Sequence, residues 1–221
     1  MKSEPVDGKV SGNSVGEGPG GKASRADAAE PGLADPGQRN LLLGGVRTIA
    51  DWPKTGVMFK DITPLFQSPE RFRAMVDVLA ARYARSGAQL VAGIDARGFM
   101  LGAALALAMG VGFVPIRKAG KLPGATLRED YALEYGTASV EIHTDACAPG
   151  TRVVLVDDLI ATGGTMLAGA RLLQRLGADL IEAVAIIDLR DLGGFARLVE
   201  AGIRTHSLLV VESGDKHDTA A

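Results

Sequence analysis

Short apolar runs alternate with longer segments of helical spacing through the middle of this chain. The runs that predict strands are residues 90–94, 111–116, 153–156 and 183–187. The segments 99–109 and 166–176 have helical spacing, and a glycine follows each of them, as is common at helix ends. This alternation predicts an α/β fold with a mostly parallel sheet and helices on both faces.

A further helix is predicted ahead of the first of these strands. Ser68 is a good N-cap and Pro69 suits the first helical position. Apolar residues then recur at helical spacing as far as Tyr83, and Gly87 stops the helix. Ligands of parallel sheets bind beyond the carboxyl ends of the strands, so the residues after each strand are candidates for function.

The first forty residues differ in composition from the rest of the chain. They are rich in glycine and proline, contain no aromatic residue, and cannot bury enough surface to offset the entropy of ordering. We therefore expect residues 1–40 to be a disordered tail. We expect residues 41–221 to form a single domain, which suits a chain of 221 residues.

Charge and cysteine content exclude several classes of protein. Lys and Arg total 24 and Asp and Glu total 26, a net charge of −2, so no global positive field attracts nucleic acid or an anionic membrane. Cys147 has no partner for a disulfide. The uncharged run 99–116 contains many Ala and Gly residues and Pro115, which disfavours a membrane span. The start of the chain has no apolar signal segment, so we expect a cytoplasmic protein.

The most specific motif is VVLVDDLIATGGTM, residues 153–166, in which a buried strand leads through a small turn into a helix. Gly163 and Gly164 allow successive backbone N–H groups to converge on an anion, and the helix N-terminus adds partial positive charge. Thr162 and Thr165 supply hydroxyl donors. The turn is therefore a candidate phosphate site. The Walker pattern of P-loop NTPases is absent from the sequence, which disfavours that class.

Asp157 and Asp158 lie just before this turn. Two carboxylates repel a bare phosphate, but they suit a sugar phosphate whose ribose hydroxyls they accept. Alternatively, one of them caps the helix and the other is a solvated strand end.

This string resembles the phosphoribosylpyrophosphate (PRPP) signature of the type I phosphoribosyltransferases. Further segments resemble the adenine branch of that family, namely DWPKTGVMFKDITPLF, GIDARGF, VPIRKAGKLPGAT and YALEYG. The resemblance covers about residues 46–210. It implies a small hood at about residues 41–66 and a flexible lid at about residues 117–137, a segment without a sustained apolar period.

The resemblance implies transfer of the phosphoribosyl group from PRPP to N9 of adenine, giving AMP and pyrophosphate, with Mg²⁺ carried on PRPP. Positive charge spreads over the ribose as pyrophosphate departs, as in glycoside cleavage. Asp157 and Asp158 are placed to stabilise that charge and to grip the ribose hydroxyls directly or through the metal's water shell. Mg²⁺ prefers phosphate oxygens, one or two carboxylates and water, so we expect no dedicated His or Cys ligands.

Two groups of cations are candidates for binding pyrophosphate. Arg97 lies in the DARG turn after the strand 90–94, where the family often has a cis peptide. Arg117, Lys118 and Lys121 form the second group. Each is alternatively a solvated surface cation, the usual environment of Lys and Arg.

Glu134, in YALEYG, corresponds to the family's acid near adenine N7, a proton donor or acceptor. Ala161 supports this assignment, because the hypoxanthine and guanine relatives have an Asp there that handles the purine proton. Tyr135 would help to close the site. Alternatively, Tyr131, Leu133 and Tyr135 are one face of a strand and Glu134 points outward.

Adenine binding is expected at GVMFKD. Phe59 can stack on the purine, unless it is a buried core residue. Backbone groups around Val57 to Phe59 would read the adenine edge, as in the resembling enzymes. Lys60 replaces the family's usual Arg, which leaves its contact with the base open. Trp52 and Pro53 are assigned to packing.

The resemblance also implies a homodimer in which basic loop residues reach toward the neighbouring site. Two other functions are weighed against adenine transfer. The first is a regulator that senses PRPP without turnover, although the N-terminal segment lacks the basic patch of a DNA-binding domain. The second is an enzyme for guanine or xanthine, which Ala161 and GVMFKD disfavour.

Overall fold

The computed structural model describes Met1, residues 35–132 and residues 136–214. The helices of these residues are α1 (Pro36–Leu43), α2 (Thr63–Gln67), α3 (Pro69–Tyr83), α4 (Arg97–Met109), α5 (Gly164–Arg175) and α6 (Gly194–Glu200). The strands are β1 (Arg47–Ala50), β2 (Met58–Asp61), β3 (Leu90–Ile94), β4 (Gly112–Lys118), β5 (Thr126–Ala132), β6 (Thr137–His143), β7 (Arg152–Ile160), β8 (Asp179–Leu189) and β9 (Thr205–Val211). A 3-10 turn, Arg190–Leu192, separates β8 from α6.

Seven strands form one mixed sheet in the order β5-β6-β4-β3-β7-β8-β9. The strands β4, β3, β7, β8 and β9 are mutually parallel, whereas β6 runs antiparallel to both β4 and β5. Because the parallel strands point the same way, the residues that follow β3 and β7 lie at one edge of the sheet.

Helices cover both faces of this sheet, as the alternating directions of the β7 side chains show. Val154 and Val156 belong to an apolar cluster with residues of α1 to α4. Val153 and Leu155 point the other way, into a cluster with residues of α5 and α6. Successive side chains of a strand face opposite sides, so a strand buried on both faces reads as a continuous apolar run. The predicted fold class is confirmed.

The uncharged run 99–116 divides between α4 and β4. Gly110, with φ of 68°, ends the helix in the left-handed conformation that glycine favours. No helix within the described ranges is long and apolar enough to span a bilayer.

The helix that begins at Pro69 is also confirmed. The Ser68 hydroxyl accepts a hydrogen bond from the Arg71 backbone N–H at 3.3 Å, as expected of an N-cap.

The predicted boundary of the tail needs correction. Helix α1 begins at Pro36, inside the predicted tail, and the Asp35 carboxylate caps it by accepting a hydrogen bond from the Gln38 N–H at 3.0 Å. The predicted lid segment 117–137 contains all of β5, which pairs with β6 from Thr126↔His143 to Ala132↔Thr137, and its role as a lid stays a prediction. For Tyr131, the alternative interpretation that this residue lies in a strand is confirmed.

The segment predicted to be the hood, residues 41–66, includes an antiparallel ribbon of β1 and β2 outside the main sheet. Asp61 fixes the base of this ribbon, since its carboxylate accepts hydrogen bonds from the Arg47 guanidinium and from the hydroxyl and N–H of Thr63. Burial acts to raise the pKa of Asp61, but these hydrogen bonds and the Arg47 charge hold it below its ordinary value. The ribbon carries the predicted base-binding residues.

Candidate active site

A cleft of about 350 Å³ opens at the carboxyl ends of β3 and β7. The predicted site residues that line it are Arg97, Lys118, Asp157, Asp158, Ala161, Thr162, Gly163, Gly164 and Thr165. Asp95, Ala96, Tyr131, Leu159 and Met166 also line it. The predicted phosphate turn (residues 161–165), the acid pair (Asp157 and Asp158) and the DARG turn (residues 95–98) therefore meet in one cavity.

The turn between β7 and α5 adopts a backbone that requires glycine. Gly163 has φ of 75°, a left-handed conformation, and an added Cβ would lie 2.8 Å from the Gly194 carbonyl oxygen. An added Cβ on Gly164 would lie 3.2 Å from the Ala132 carbonyl oxygen. Gly163 is thus closed to larger residues by conformation and by close approach, whereas Gly164 is tightly packed against Ala132.

The N-terminus of α5 has donors available for an anion. The first N–H groups of a helix have no partner within the helix. Gly163 is the N-cap and supplies no side-chain hydrogen bond to them. These N–H groups and the helix dipole together favour a bound phosphate.

A second glycine turn, which sequence reasoning missed, supports the phosphate turn from behind. The Gly194 N–H donates to the Ala161 carbonyl at 3.0 Å, and a Cβ on Gly194 would overlap that same carbonyl oxygen. Arg197 donates to the Thr162 carbonyl at 3.4 Å. A second glycine pair after the next strand, in DLGGF, is the signal in the sequence.

The acid pair is buried at the end of β7, with Asp157 7% and Asp158 8% exposed. The Asp157 carboxylate accepts the Asp158 backbone N–H at 2.8 Å. The Asp158 carboxylate accepts a hydrogen bond from Arg97 Nε. The structure therefore brings together three of the four catalytic candidates, from two separate motifs.

Burial, together with the neighbouring Asp158 charge, raises the pKa of Asp157 well above its ordinary value. The Arg97 charge acts in the opposite direction. A carboxylate in this position favours positive charge in the cleft, because a nearby cation stabilises its ionised form.

The DARG turn is built as the resemblance implies, with a cis peptide between Asp95 and Ala96. The Asp95 carboxylate accepts the Lys118 backbone N–H at 3.4 Å and lies 3.7 Å from Arg117 Nε. Asp95 thus connects the two groups of candidate cations.

The residues of the second cation group have different surroundings in the structure. Lys118 lines the cleft, whereas Arg117 donates to the Lys121 carbonyl at 2.9 Å and so folds back on the turn after β4. The Gly120 N–H donates to Glu141 at 3.0 Å, and His143 Nε2 lies 2.8 Å from the Pro123 carbonyl. These contacts hold the turn that carries Lys121.

The β1–β2 ribbon brings Phe59 to the DARG turn. The Arg97 guanidinium carbon lies 5.6 Å from the Phe59 ring centroid, a cation–π distance. Phe59 is half-buried, so it is not the core residue of the alternative interpretation. Trp52 contacts it edge to face at 4.5 Å between centroids, but Trp52 is 52% exposed and is therefore not a buried packing residue.

Lys60 and Val57 differ in their surroundings. Lys60 is only 2% exposed, and its ammonium donates to Thr48 at 3.3 Å. Thr48 and Lys60 face each other across the ribbon, whereas Phe59 points to the opposite side. Val57 is 41% exposed. The structure thus separates the side chain of Lys60 from the ring of Phe59.

Two further residues of the cleft were not assigned from the sequence. Leu159 directly follows the acid pair and supplies an apolar wall. Tyr131 reaches the cleft from β5, and its ring lies 3.3 Å from the position of a Cβ on Gly164. Glu134, Leu133 and Tyr135 lie outside the described residues. Within the described part of the chain, no three His, Cys, Asp or Glu side chains gather into a metal site.

Comparisons with known proteins agree with this geometry. The sequence profile of the phosphoribosyl transferase domain matches residues 65–195. The adenine phosphoribosyltransferase of Ralstonia nicotianae is 61% identical over 158 residues, which cover 72% of this chain and 80% of that relative.

Solved structures show the same fold. The adenine phosphoribosyltransferase of Rhodothermus marinus is 42% identical with a TM-score of 0.76, covering 80% of this chain and 100% of that one. The enzyme of Trypanosoma brucei, in complex with AMP, pyrophosphate and ribose-5-phosphate, is 32% identical with a TM-score of 0.74. That match covers 84% of this chain and 86% of the Trypanosoma chain.

Substitution of Gly163 by Ala should weaken AMP binding, because the new Cβ meets the Gly194 carbonyl and displaces the amides of the turn. Loss of one charge-assisted hydrogen bond predicts an increase in Kd of about 30-fold, or about 2 kcal/mol, by calorimetry. Gly202→Ala is the matched control, since Gly202 has φ of 78° with no atom within 4 Å of an added Cβ. Equal affinities in the two variants would remove the turn from the binding site.

Proposed function

This chain belongs to the adenine phosphoribosyltransferase family, and from that premise we propose how its cleft transfers the 5-phosphoribosyl group of PRPP to N9 of adenine. The products are AMP and pyrophosphate, and the reaction is a pentosyl transfer of purine salvage. The observation that supports it most is the glycine-supported phosphate turn beside a buried acid pair that is bonded to Arg97.

The phosphate turn holds the 5′-phosphate of PRPP and of AMP. Backbone amides from Thr162 to Thr165 and the hydroxyls of the two threonines donate to the phosphate oxygens, as the dipole of α5 favours. Ala161 contributes its backbone only, and its small side chain leaves the base side of the turn open. Holding the phosphate fixes the position of the ribose above the acid pair.

The acid pair acts on the ribose. Asp157 and Asp158 accept the ribose hydroxyls and stabilise the positive charge that develops on the ring as the bond to pyrophosphate breaks. Arg97 keeps Asp158 oriented and adds positive charge on the pyrophosphate side. The burial of the two carboxylates strengthens their interactions with the ribose, since solvent screens them little.

Magnesium fits this donor set. Two buried carboxylates at the cleft, together with substrate oxygens and water, are what Mg²⁺ binds in sites of this class. Asp157 or Asp158 would hold it, directly or through water, and the bound ion would neutralise charge on the pyrophosphate. The positive charge would also favour ionisation of Asp157, whose pKa burial raises.

Pyrophosphate binding falls to Lys118, Arg117 and Lys121, together with Arg97. Lys118 is already in the cleft, and Asp95 holds its backbone in place. The turn of Lys121 lies next to it along the chain and is held by Arg117. Four cations offset the charge of a leaving group whose negative charge grows as the bond breaks.

Adenine lies between the ribbon and the cleft. Phe59 stacks on the purine, backbone groups around Val57 to Phe59 bond to its edge, and Leu159 provides the apolar surface opposite. Lys60 supports the ribbon through Thr48 and makes no side-chain contact with the base. Base selection then rests on backbone groups and shape.

A homodimer is the assembly we propose. Helix α4 begins at Arg97 in the cleft and exposes apolar side chains along one face, with Met100 45% and Leu107 84% exposed. Ala103 lies between them at helical spacing and is also exposed. A second copy covering this face would bring its own site close to Arg97.

The reaction is tested with purified protein, PRPP and Mg²⁺, and with adenine, hypoxanthine, guanine and xanthine side by side. AMP should accumulate from adenine, and no nucleotide should form from the other bases. Gly163→Ala, prepared in the same way, shows that the activity belongs to this cleft. Turnover of another base would contradict the proposal, and PRPP binding without any nucleotide would identify a PRPP sensor instead.

Glu134 is proposed as the group that exchanges a proton at adenine N7, on the strength of its place in YALEYG. Glu134→Gln should lower kcat by about 100-fold, within the usual range for loss of general acid–base catalysis, and change PRPP affinity little. Steady-state kinetics at saturating adenine separate the two effects. Equal losses in kcat and in PRPP affinity would contradict a role in proton transfer.

A further inference from the structure

Alternate side chains of β5 face helix α5. Leu127 and Tyr131 pack against the apolar cluster that includes α5, and Glu129 lies between them on the same face of the strand. The intervening residues, Arg128 and Asp130, are exposed. A carboxylate on the inward face of a strand needs partners, because burying an unpaired charge is costly.

Helix α5 supplies those partners. Arg171 Nη1 lies 3.4 Å from one Glu129 oxygen, and Arg175 Nη1 lies 3.1 Å from the other. The two arginines are four residues apart and so share one face of the helix. Arg175 also donates to the Arg128 carbonyl at 2.6 Å. A single exposed ion pair stabilises little, but here one carboxylate pairs with two guanidiniums beside a backbone hydrogen bond.

The same strand contacts the same helix at the phosphate turn. Gly164 begins α5, and an added Cβ there would lie 3.2 Å from the Ala132 carbonyl and 3.3 Å from the Tyr131 ring. Tyr131 follows Glu129 by two residues, so both face the helix. Strand β5 therefore rests on α5 at two places, one charged and one at the cleft.

The remaining support of the β5–β6 hairpin comes from β6, whose Val140 and Ile142 are buried in the apolar cluster that includes α5. Strand β6 joins the main sheet through the register pairs Arg117↔Glu141 and Lys118↔Val140 of β4. Its pairing with β5 holds the hairpin together but does not fix the hairpin over α5. The contacts of β5 with α5 then decide where β5 itself lies.

We propose that Glu129 is a positioning residue. Through Arg171 and Arg175 it holds the β5–β6 hairpin on α5, and so keeps Tyr131 against Gly164 at the wall of the phosphate turn. The effect on ligands rests on the proposed function, because it assumes that this turn binds the 5′-phosphate. The effect on the placement of the hairpin does not depend on the proposed function.

Glu129→Gln keeps the shape of the side chain and removes its charge. Hydrogen exchange of the amides in β5 and β6 should become about tenfold faster, while those of β3 and β7 stay unchanged, because the hairpin opens locally. If the fraction of molecules whose hairpin lies against α5 falls to a fifth, the apparent AMP Kd should rise about fivefold, because only those molecules are competent to bind AMP. Arg175→Gln should change both quantities in the same direction. For the wild type, 1 M NaCl should also speed hairpin exchange, because salt screens exposed pairs.

Asp179→Asn is the matched control. It removes the exposed ion pair between Arg152 and Asp179, 3.7 Å apart at the amino-terminal ends of β7 and β8, and should change neither quantity. Wild-type exchange rates in Glu129→Gln would overturn the proposal. Faster exchange with unchanged AMP affinity would overturn the link to the phosphate turn. Failure of the wild-type protein to bind AMP would refute the proposed function, and hairpin exchange would still report on Glu129.

Discussion

The site depends on the close packing of two glycine turns at the end of the sheet. Gly163 can hold its left-handed conformation only because it carries no Cβ, and Gly194 approaches from behind until its N–H bonds to the Ala161 carbonyl. Any side chain on either residue would force the turns apart. Because this support comes from behind, the amides at the start of α5 remain directed at the cleft and free to bind a phosphate.

Charge is arranged around this turn in opposing pairs. Arg97 balances Asp158, and Asp95 balances Arg117 while accepting the backbone N–H of Lys118. Asp157 has the least compensation, which is why burial beside Asp158 raises its pKa so strongly. A substrate that carries phosphates near the cations and positive charge near the carboxylates pairs with both sets of charges. PRPP carried with magnesium has that distribution of charge.

Local signals predicted most of the central fold and the phosphate turn. The strand at residues 90–94 and the helix at Pro69 follow from short-range patterns. The turn at Gly163 follows from the motif of residues 153–166, in which two successive glycines connect a strand to a helix. Asp35 followed by Pro36 is also a local signal, a helix cap that the composition of the tail obscured. Strand β5 was harder to predict, because Arg128, Glu129 and Asp130 place charge on both of its faces and hide the alternation.

Long-range packing accounts for the rest. The support of the phosphate turn by Gly194 joins residues about thirty positions apart, and the glycine pair in DLGGF does not by itself show which turn it packs against. Burial of Lys60 follows from the pairing of β1 with β2, which places its side chain away from Phe59. The contact between Phe59 and Arg97 likewise exists only once the ribbon lies over the DARG turn. These features depend on which elements meet in space.

A crystal structure with AMP bound tests the central claim most directly. The account predicts the 5′-phosphate within hydrogen-bond distance of the amides of residues 162–165, and the ribose hydroxyls at Asp157 and Asp158. AMP bound elsewhere, with its phosphate away from the turn that Gly194 supports, would contradict it.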